Sequence, residues 1–368
     1  MARKKFIKSS GRVISLEFDS KLLSDNPLGD PSLRQIHIWL PPQYDQSKGI
    51  KMGKRFPVLF DLAGYAGSGL SHTNWKSFDE NIPERAARIL YEKKLDPFIV
   101  VFPDCFTSLG GNQYINSIAV GAYADYLTKE LIPLIDKEFR TKASRNHRGC
   151  FGKSSGGYGA MVHGMKYSNH WGAIANHSGD SYFDFVYRSE WPKTLTHLGQ
   201  YKSRKRTNDA VSTISDIDCL EDGIDDGRIK KFLKTVWNKQ KLSSNDLHCL
   251  MNLAMAATYD PDISAPNNFK VPFNLETGEI IPSRWKRWLK HDPINLVNRY
   301  AENLKSLRGI FIDCGWKDQY HIHYGTRILS KRMRSLKVPH IYEEFNDTHS
   351  GIDYRLDVSI PYLLKALS

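Results

Sequence analysis

Cysteine is scarce in this chain of 368 residues, which contains five: Cys105, Cys150, Cys219, Cys249 and Cys314. Their number is odd, they lie far apart in the sequence, and no two of them form a Cys-x-x-Cys pair. This pattern argues against a disulfide framework and against a zinc ribbon. We therefore expect free, buried thiols in a reducing compartment, and we predict a cytoplasmic location.

Long apolar runs are also missing. No window approaches the roughly 18 consecutive apolar residues that a membrane-spanning helix needs. The start of the chain is basic but has no apolar stretch of the kind found in a secretory signal. We therefore predict no membrane partner and no export.

Acidic residues are outnumbered: 52 Lys and Arg stand against 40 Asp and Glu, giving a net charge of +12. A positive charge of this size is compatible with nucleic-acid binding. Basic residues cluster at 202–206, at 284–290 around Trp285 and Trp288, and at 331–337. No recognised nucleic-acid-binding module accompanies the clusters, so we predict no nucleic-acid partner.

Short apolar runs alternate with helical patterns along most of the chain, of which 40% is hydrophobic. The runs at 57–62 and 98–102 are continuously apolar, as is typical of strands buried on both faces of a sheet. Further strands are predicted at 35–40, 148–152, 172–176, 308–312 and 340–345, and helices at 81–94, 123–139 with a kink at Pro133, 156–165, 229–237 and 247–257. This alternation predicts an α/β protein with a mainly parallel sheet and helices on both faces.

The alternation stops between residues 191 and 292, where helical patterns, a basic cluster and an acidic cluster follow one another. Strands resume afterwards. We therefore interpret 191–292 as a helical cap inserted into one α/β core, whose two parts are 1–190 and 293–368. A separate domain is the alternative.

The segment Gly152-Lys-Ser-Ser-Gly156 fits the pattern Gly-x-Ser-x-Gly, between an apolar run and a helical pattern. This is the strand–turn–helix context of a nucleophile elbow. Ser154 would lie on the tight turn, and glycines two positions on either side would avoid a collision there. The N–H of Ser155 would face a developing oxyanion from the start of the helix. A P-loop is excluded because His147 occupies the place of its first glycine.

A serine nucleophile needs a base and a carboxylate that orients the base. In elbow enzymes the acid follows the serine, and the histidine comes last. The strand predicted at 308–312 leads to Asp313 and Asp318, of which we favour Asp318 as the acid and keep Asp313 as second choice. The last predicted strand is followed by His349, which we predict to be the base.

A second oxyanion donor is expected in the glycine-rich loop after the strand at 57–62. We assign the N–H of Tyr65 to this role, with Gly64 and Ala66 as neighbouring alternatives. Three aromatic residues near the predicted loops are candidates for lining a substrate pocket, although plain packing explains them equally well: Trp75, Tyr114 and Trp316.

His321 and His323 form the one histidine pair that suggests a metal. Two such ligands without a carboxylate at a known spacing are weak support for a metal site. We predict neither a metal nor a cofactor.

These segments together resemble the "Putative esterase" family of α/β-hydrolases, which includes S-formylglutathione hydrolase, enterochelin esterase, feruloyl esterases and the antigen 85 mycolyltransferases. The resemblance is carried by Leu40-Pro-Pro-Gln-Tyr44, Pro57-Val-Leu-Phe-Asp-Leu-Ala-Gly-Tyr65, Val101-Phe-Pro-Asp104, residues 152–160, Asp313-x-Gly-x-x-Asp-Gln-Tyr320 and Thr348-His-Ser350. It implies an α/β-hydrolase fold, and it implies the same nucleophile, acid, base and oxyanion donors: Ser154, Asp318, His349, Ser155 and Tyr65.

We therefore predict a serine esterase that cleaves a small-molecule carboxylic ester through an acyl-enzyme on Ser154. One alternative is an acyltransferase that uses the same three side chains with an alcohol acceptor. Another is a non-catalytic binding protein on a hydrolase scaffold. The acyl and alcohol groups and the oligomeric state stay open, with a homo-oligomer as one option.

Overall fold

The computed structural model describes residues 10–46, 53–203 and 222–368, and its main feature is an eight-stranded sheet. The strands of this sheet are β1 (Arg12–Asp19), β2 (Leu33–Leu40), β3 (Val58–Leu62), β4 (Ile99–Phe102), β7 (Arg148–Lys153), β8 (Ala173–His177), β9 (Gly309–Gly315) and β10 (Ile341–Phe345). Two further strands, β5 (Asn116–Ser117) and β6 (Gly121–Ala122), pair in a small sheet of their own.

The strand order in the large sheet is β1-β2-β4-β3-β7-β8-β9-β10. In this order, the neighbouring strands from β4 to β10 pair in parallel. At the other end of the sheet, β2 pairs antiparallel with both β1 and β4. All seven predicted strands are present, so the mainly parallel sheet is confirmed. β1 was not predicted. It lies at the sheet edge, and its side chains are only half-buried or exposed, which leaves a weak apolar signal.

Helices cover both faces of the sheet. They are α1 (Pro42–Gln46), α2 (Gly69–Thr73), α3 (Ile82–Glu92), α4 (Tyr123–Asp125), α5 (Ile132–Glu138), α6 (Ser155–Lys166), α7 (Phe183–Val186), α8 (Trp191–Gly199), α9 (Arg228–Val236), α10 (Ser244–Tyr259), α11 (Pro282–Leu289), α12 (Pro293–Leu296), α13 (Ala301–Lys305), α14 (Ile322–Ser335) and α15 (Leu356–Leu367). None of these described helices is long and apolar enough to cross a membrane.

The alternation of side chains along β3 divides the core into two layers. Val58 and Phe60 belong to the larger apolar cluster, which also contains residues of α6, whereas Leu59 belongs to a second cluster with residues of α3 and α15. Successive side chains of a strand point to opposite faces of the sheet. Each face of this sheet is therefore covered by its own helical layer.

The helix predicted around Pro133 is interrupted by a π-helical segment, Tyr126–Leu131, between α4 and α5. Pro133 lies in the first turn of α5, which follows this segment directly, and its ring has no N–H to donate to the preceding helical turn. The N–H of Ile132 donates instead to the carbonyl of Leu127, five residues earlier. The interruption that we predicted is thus a widened turn just before the proline.

The stretch 191–292 holds helices α8 to α11 and, in its described part, no strand of the large sheet. Its aromatic side chains pack on the core. The ring of Tyr259 lies 6.0 Å from that of Tyr158 in α6 and 5.5 Å from that of Trp288. The basic cluster at 204–206, together with Cys219 and Glu221, lies outside the described residues.

Candidate active site

Ser154 lies between the end of β7 and the start of α6, as the motif predicts. Its backbone has φ 59° and ψ −126°, a conformation that residues other than glycine rarely adopt. A backbone of this kind costs about 1–3 kcal/mol and persists only where the surrounding structure enforces it. Ser154 is thus held on a strained turn whose side chain faces a cavity.

The two glycines of the motif are required by close backbone contacts. A Cβ atom on Gly156 would lie 1.8 Å from the carbonyl oxygen of Leu62, at the end of β3. A Cβ atom on Gly152 would lie 2.4 Å from the same oxygen. No side chain fits at such distances, so the spacing Gly-x-Ser-x-Gly follows from the contact between the elbow and β3.

Among the described residues, the backbone N–H groups of Ser155 and Tyr65 have no backbone acceptor, and neither does that of Gly64. The loop that carries Tyr65 passes beside the nucleophile, since a Cβ atom on Gly64 would lie 3.6 Å from the Cβ of Ser154. The N–H of Ala66 donates instead to the carbonyl of Gly110 (2.8 Å), which removes it as an alternative donor. The Tyr65 hydroxyl is anchored on the carbonyl of Leu109 (2.9 Å), which holds the loop in place.

His349 and Asp318 are in direct contact, with 2.7 Å between Nδ1 of the ring and Oδ2 of the carboxylate. His349 is 7% exposed and Asp318 is 2% exposed. The N–H of Tyr320 donates to the other carboxylate oxygen (2.8 Å), and the N–H of His349 donates to Oε1 of Gln319 (3.0 Å). Because Nδ1 is engaged, Nε2 is the nitrogen left to act as a base.

Asp313, the second choice for the acid, is held elsewhere. One of its oxygens contacts Nδ1 of His177 (2.6 Å), and the other accepts a hydrogen bond from Nε of Arg355 (2.8 Å). The carboxylate is fully buried in β9. Both oxygens of Asp313 are therefore occupied away from His349.

Ser154 and His349 line one cavity of 310 Å³ at the carboxyl ends of the parallel strands. In doubly wound sheets this is the edge at which ligands bind. The glycine-rich loop, residues 64–67, forms one side of the cavity. The rest of the wall consists of residues that we had not predicted: His72, Lys153, Asp180, Val186, Tyr187, Met251, Tyr320 and Ile322.

The three predicted substrate-binding aromatics do not line this cavity. Trp75 is 69% exposed and Trp316 is 46% exposed, both on the outer surface. Tyr114 is buried behind the glycine-rich loop, where its hydroxyl donates to the carbonyl of Ala63 (2.6 Å). Proximity in sequence to a functional loop did not predict which face of the loop each ring would occupy.

His72, at the rim of the cavity, pairs with the buried carboxylate of Asp61, with 2.5 Å between Nδ1 and Oδ2. Burial lowers the pKa of His72, but the charge and hydrogen bond of Asp61 outweigh it, so the pKa is raised. His72 and Lys153 both line the cavity.

His321 precedes helix α14, and His323 lies in its first turn. Among the described residues, no group of three or more His, Cys, Asp or Glu side chains is placed to hold a metal ion. The described cysteines are unpaired and buried: Cys105, Cys150, Cys249 and Cys314.

Comparison with known proteins gives a family match over most of the chain. The model of the Esterase family, described as "Putative esterase", matches residues 31–357. Esterase Rv1288 of Mycobacterium tuberculosis is 31% identical over 150 residues, which is 39% of this chain and 28% of that protein. Endo-1,4-beta-xylanase/feruloyl esterase of Xylanibacter ruminicola is 32% identical over 131 residues, 34% of this chain and 16% of that protein. The chain thus spans less than a third of the length of either relative.

Solved structures similar to the chain show its fold. An S-formylglutathione hydrolase from Agrobacterium tumefaciens has a TM-score of 0.56 at 16% identity, covering 99% of both chains. A ferulic acid esterase has a TM-score of 0.54 at 17% identity, covering 97% of this chain and 98% of its own. The fold shared with these structures is that of the α/β-hydrolases, as we predicted.

Proposed function

The chain belongs to the "Putative esterase" family, and on that premise we propose that it is a serine hydrolase that cleaves carboxylic esters through an acyl-enzyme on Ser154. One observation carries the proposal. A serine on a strained strand-to-helix turn and a histidine paired with a buried carboxylate line the same cavity.

The first chemical step is attack on the ester. Nε2 of His349 takes the proton from the Ser154 hydroxyl as Oγ bonds to the acyl carbon. The carbonyl oxygen becomes an oxyanion that accepts hydrogen bonds from the N–H groups of Ser155 and Tyr65. Each such donor contributes about 10²–10³ in rate. Collapse of the tetrahedral intermediate expels the alkoxide, which takes the proton from His349 and leaves as the alcohol.

The second step regenerates the enzyme. His349 removes a proton from a water molecule, whose oxygen attacks the acyl carbon, and Ser154 leaves with the proton returned by His349. Throughout, Asp318 holds the imidazole in the tautomer with a proton on Nδ1 and stabilises the imidazolium. The short contact between Asp318 and His349 supports this role.

The walls of the cavity support a small ester as the substrate. Val186, Met251 and Ile322 provide apolar contacts, and 310 Å³ is at the small end of ligand pockets. Met251 comes from the stretch 191–292, and this contribution supports our interpretation of that stretch as a cap on the core. The proteins named feruloyl esterase and S-formylglutathione hydrolase make esters of aromatic acids and thioesters suitable substrates to assay.

Acyl transfer to an alcohol is the second candidate function, because the acyl-enzyme is common to both reactions and only the acceptor differs. Product analysis with and without an added alcohol distinguishes the two. A transferase forms the new ester in preference to the free acid at millimolar alcohol, whereas a hydrolase releases the acid in both cases.

A fluorophosphonate probe tests the nucleophile. We expect the wild-type chain to be labelled and Ser154→Ala to remain unlabelled. Ser335→Ala is a matched control, because Ser335 ends helix α14 on the surface, outside the residues that line the cavity, and should label like the wild type. A wild-type chain that is folded and unlabelled would refute the enzyme proposal and favour a binding protein on a hydrolase scaffold.

We also propose a cytoplasmic location. It is supported by the four described cysteines, which are buried and form no disulfide bond, as in proteins of reducing compartments. Fractionation of the native host with an antibody to the chain tests it, and recovery in the secreted fraction would contradict it.

A further inference from the structure

Asp180 is a buried carboxylate in the wall of the cavity that no step of the proposed mechanism uses. It follows β8 by three residues and lies in the loop 178–181. It is 5% exposed, and it lines the same cavity as Ser154 and His349. The mechanism already has an acid, a base and two oxyanion donors, so this carboxylate needs a separate explanation.

The two carboxylate oxygens of Asp180 differ in their hydrogen bonds. Oδ2 accepts hydrogen bonds from Nε2 of Gln113 (2.8 Å) and from the hydroxyl of Tyr187 (2.8 Å). Oδ1 accepts none from any residue in the described ranges. Oδ1 is not fully enclosed by protein atoms either. It is therefore exposed at the surface of the cavity.

The position of this oxygen is set by rigid surroundings. Nε2 of Gln113 also donates to the hydroxyl of Tyr259 (2.9 Å), which ties the carboxylate into a network of buried side chains. The loop itself is fixed against α6, because a Cβ atom on Gly179 would lie 2.6 Å from the backbone nitrogen of Tyr158. Oδ1 is therefore held at a constant position relative to the elbow.

A carboxylate that is removed from water and has one unfilled oxygen is unfavourable unless a ligand completes its hydrogen bonds. Burial accordingly raises the pKa of Asp180, although the hydrogen bonds from Gln113 and Tyr187 oppose the rise. The wall of the cavity also contains Val186 and Ile322, whose side chains offer a substrate no hydrogen-bond acceptor. A fixed acceptor in a pocket that also has apolar walls distinguishes ligands by whether they donate a hydrogen bond to it.

We propose that Asp180 is a specificity-determining residue whose Oδ1 accepts a hydrogen bond from a hydroxyl group on the acyl or alcohol part of the ester. This inference rests on the proposed esterase function. A neutral hydroxyl is favoured over an ammonium group because the ammonium group of Lys153 lines the same cavity and would repel a cation.

Two sets of matched esters test the proposal. Methyl 4-hydroxycinnamate is compared with methyl 4-methoxycinnamate, and 2-hydroxyethyl butyrate with 2-methoxyethyl butyrate. Within each pair a methoxy group, which cannot donate a hydrogen bond, replaces the hydroxyl. The cinnamate pair tests a donor on the acyl part of the ester, and the butyrate pair tests a donor on the alcohol part. We expect the wild type to prefer the hydroxyl ester in at least one pair by about 10-fold or more in kcat/KM. Equal rates in both pairs would overturn the proposal without recourse to any variant.

The variant Asp180→Asn then tests whether the preference for the hydroxyl ester depends on Asp180. We expect kcat/KM for the preferred hydroxyl ester to fall by about 10–100-fold, mainly through KM, while the methoxy ester changes by less than about 3-fold. Tyr259→Phe is the matched control. It removes a hydroxyl from the same buried network, but Tyr259 does not line the cavity, so the preference should be retained. Equal losses for both esters in Asp180→Asn would show a structural role and overturn the assignment.

Fluorophosphonate labelling separates this inference from the function on which it rests. Labelling of the wild type and of Asp180→Asn with no hydroxyl preference would refute only the role of Asp180. Absence of labelling in a folded wild type would refute the esterase function itself.

Discussion

Nδ1 of His349 lies 2.7 Å from Oδ2 of Asp318, although 31 positions of sequence separate the two residues. They come together because the loops that follow the neighbouring parallel strands β9 and β10 meet at one edge of the sheet. Asp313, five positions before Asp318, lies within β9 and contacts Arg355 instead. A carboxylate in the loop and a carboxylate in the strand thus have different partners and different expected roles.

Replacing the two aspartates by asparagine should have opposite consequences. Asp318→Asn should lower kcat by about 10³–10⁴ with little loss of stability, because the imidazole would be held in the wrong tautomer. Asp313→Asn should lower the free energy of unfolding by about 3 kcal/mol, because Arg355 and His177 lose a buried partner. Steady-state kinetics and urea denaturation of both variants check this. A larger kcat loss in Asp313→Asn would show that the acid was wrongly assigned.

The elbow glycine Gly156 should not tolerate a side chain. Gly156→Ala places a Cβ atom 1.8 Å from the carbonyl oxygen of Leu62, so the turn or β3 must move. We expect a loss of about 3 kcal/mol or more in stability, together with loss of fluorophosphonate labelling. Gly199→Ala is the control, since its Cβ would have no atom within 4 Å. Its stability should stay within about 1 kcal/mol of the wild type, and similar losses in both variants would contradict the steric argument.

The His72–Asp61 pair should make stability depend on pH. The folded-state pKa of His72 is raised above its ordinary value of about 6.5. The folded state therefore binds the proton more tightly, and the stabilisation is fully present below about pH 6.5 and is lost as the pH rises through the raised pKa. The difference in unfolding free energy between wild type and His72→Gln should accordingly be larger at pH 5.5 than at pH 9. Urea titrations at the two pH values measure it, and a constant difference would argue against the pairing.

The described thiols should be unreactive in the folded protein. Burial raises the pKa values of Cys105, Cys150, Cys249 and Cys314, so their thiolate fractions at neutral pH are very small. In a Cys219→Ser background, reaction with Ellman's reagent should be slow in buffer and complete in guanidinium chloride. A thiol that reacts within seconds in the native protein would contradict this.

The sequence alone was enough to predict the elbow and most of the sheet. Both depend on short-range physical constraints: continuous apolar runs in strands that are buried on both faces of the sheet, and the steric need for glycine two residues on either side of Ser154. The order of acid and base along the chain also follows from topology, because successive loops after parallel strands lie at one edge.

Only the tertiary structure distinguished between candidates of the same residue type. Asp313 and Asp318 differ in which neighbours reach them, and Ala66 differs from Tyr65 because its N–H donates to Gly110. The residues of the cavity wall were not predicted, for the same reason. Asp180 and Met251, for example, are 71 positions apart in the sequence and come to line one cavity only through packing. Local patterns specify backbone conformation and burial, whereas contacts between distant segments depend on how all the elements pack together.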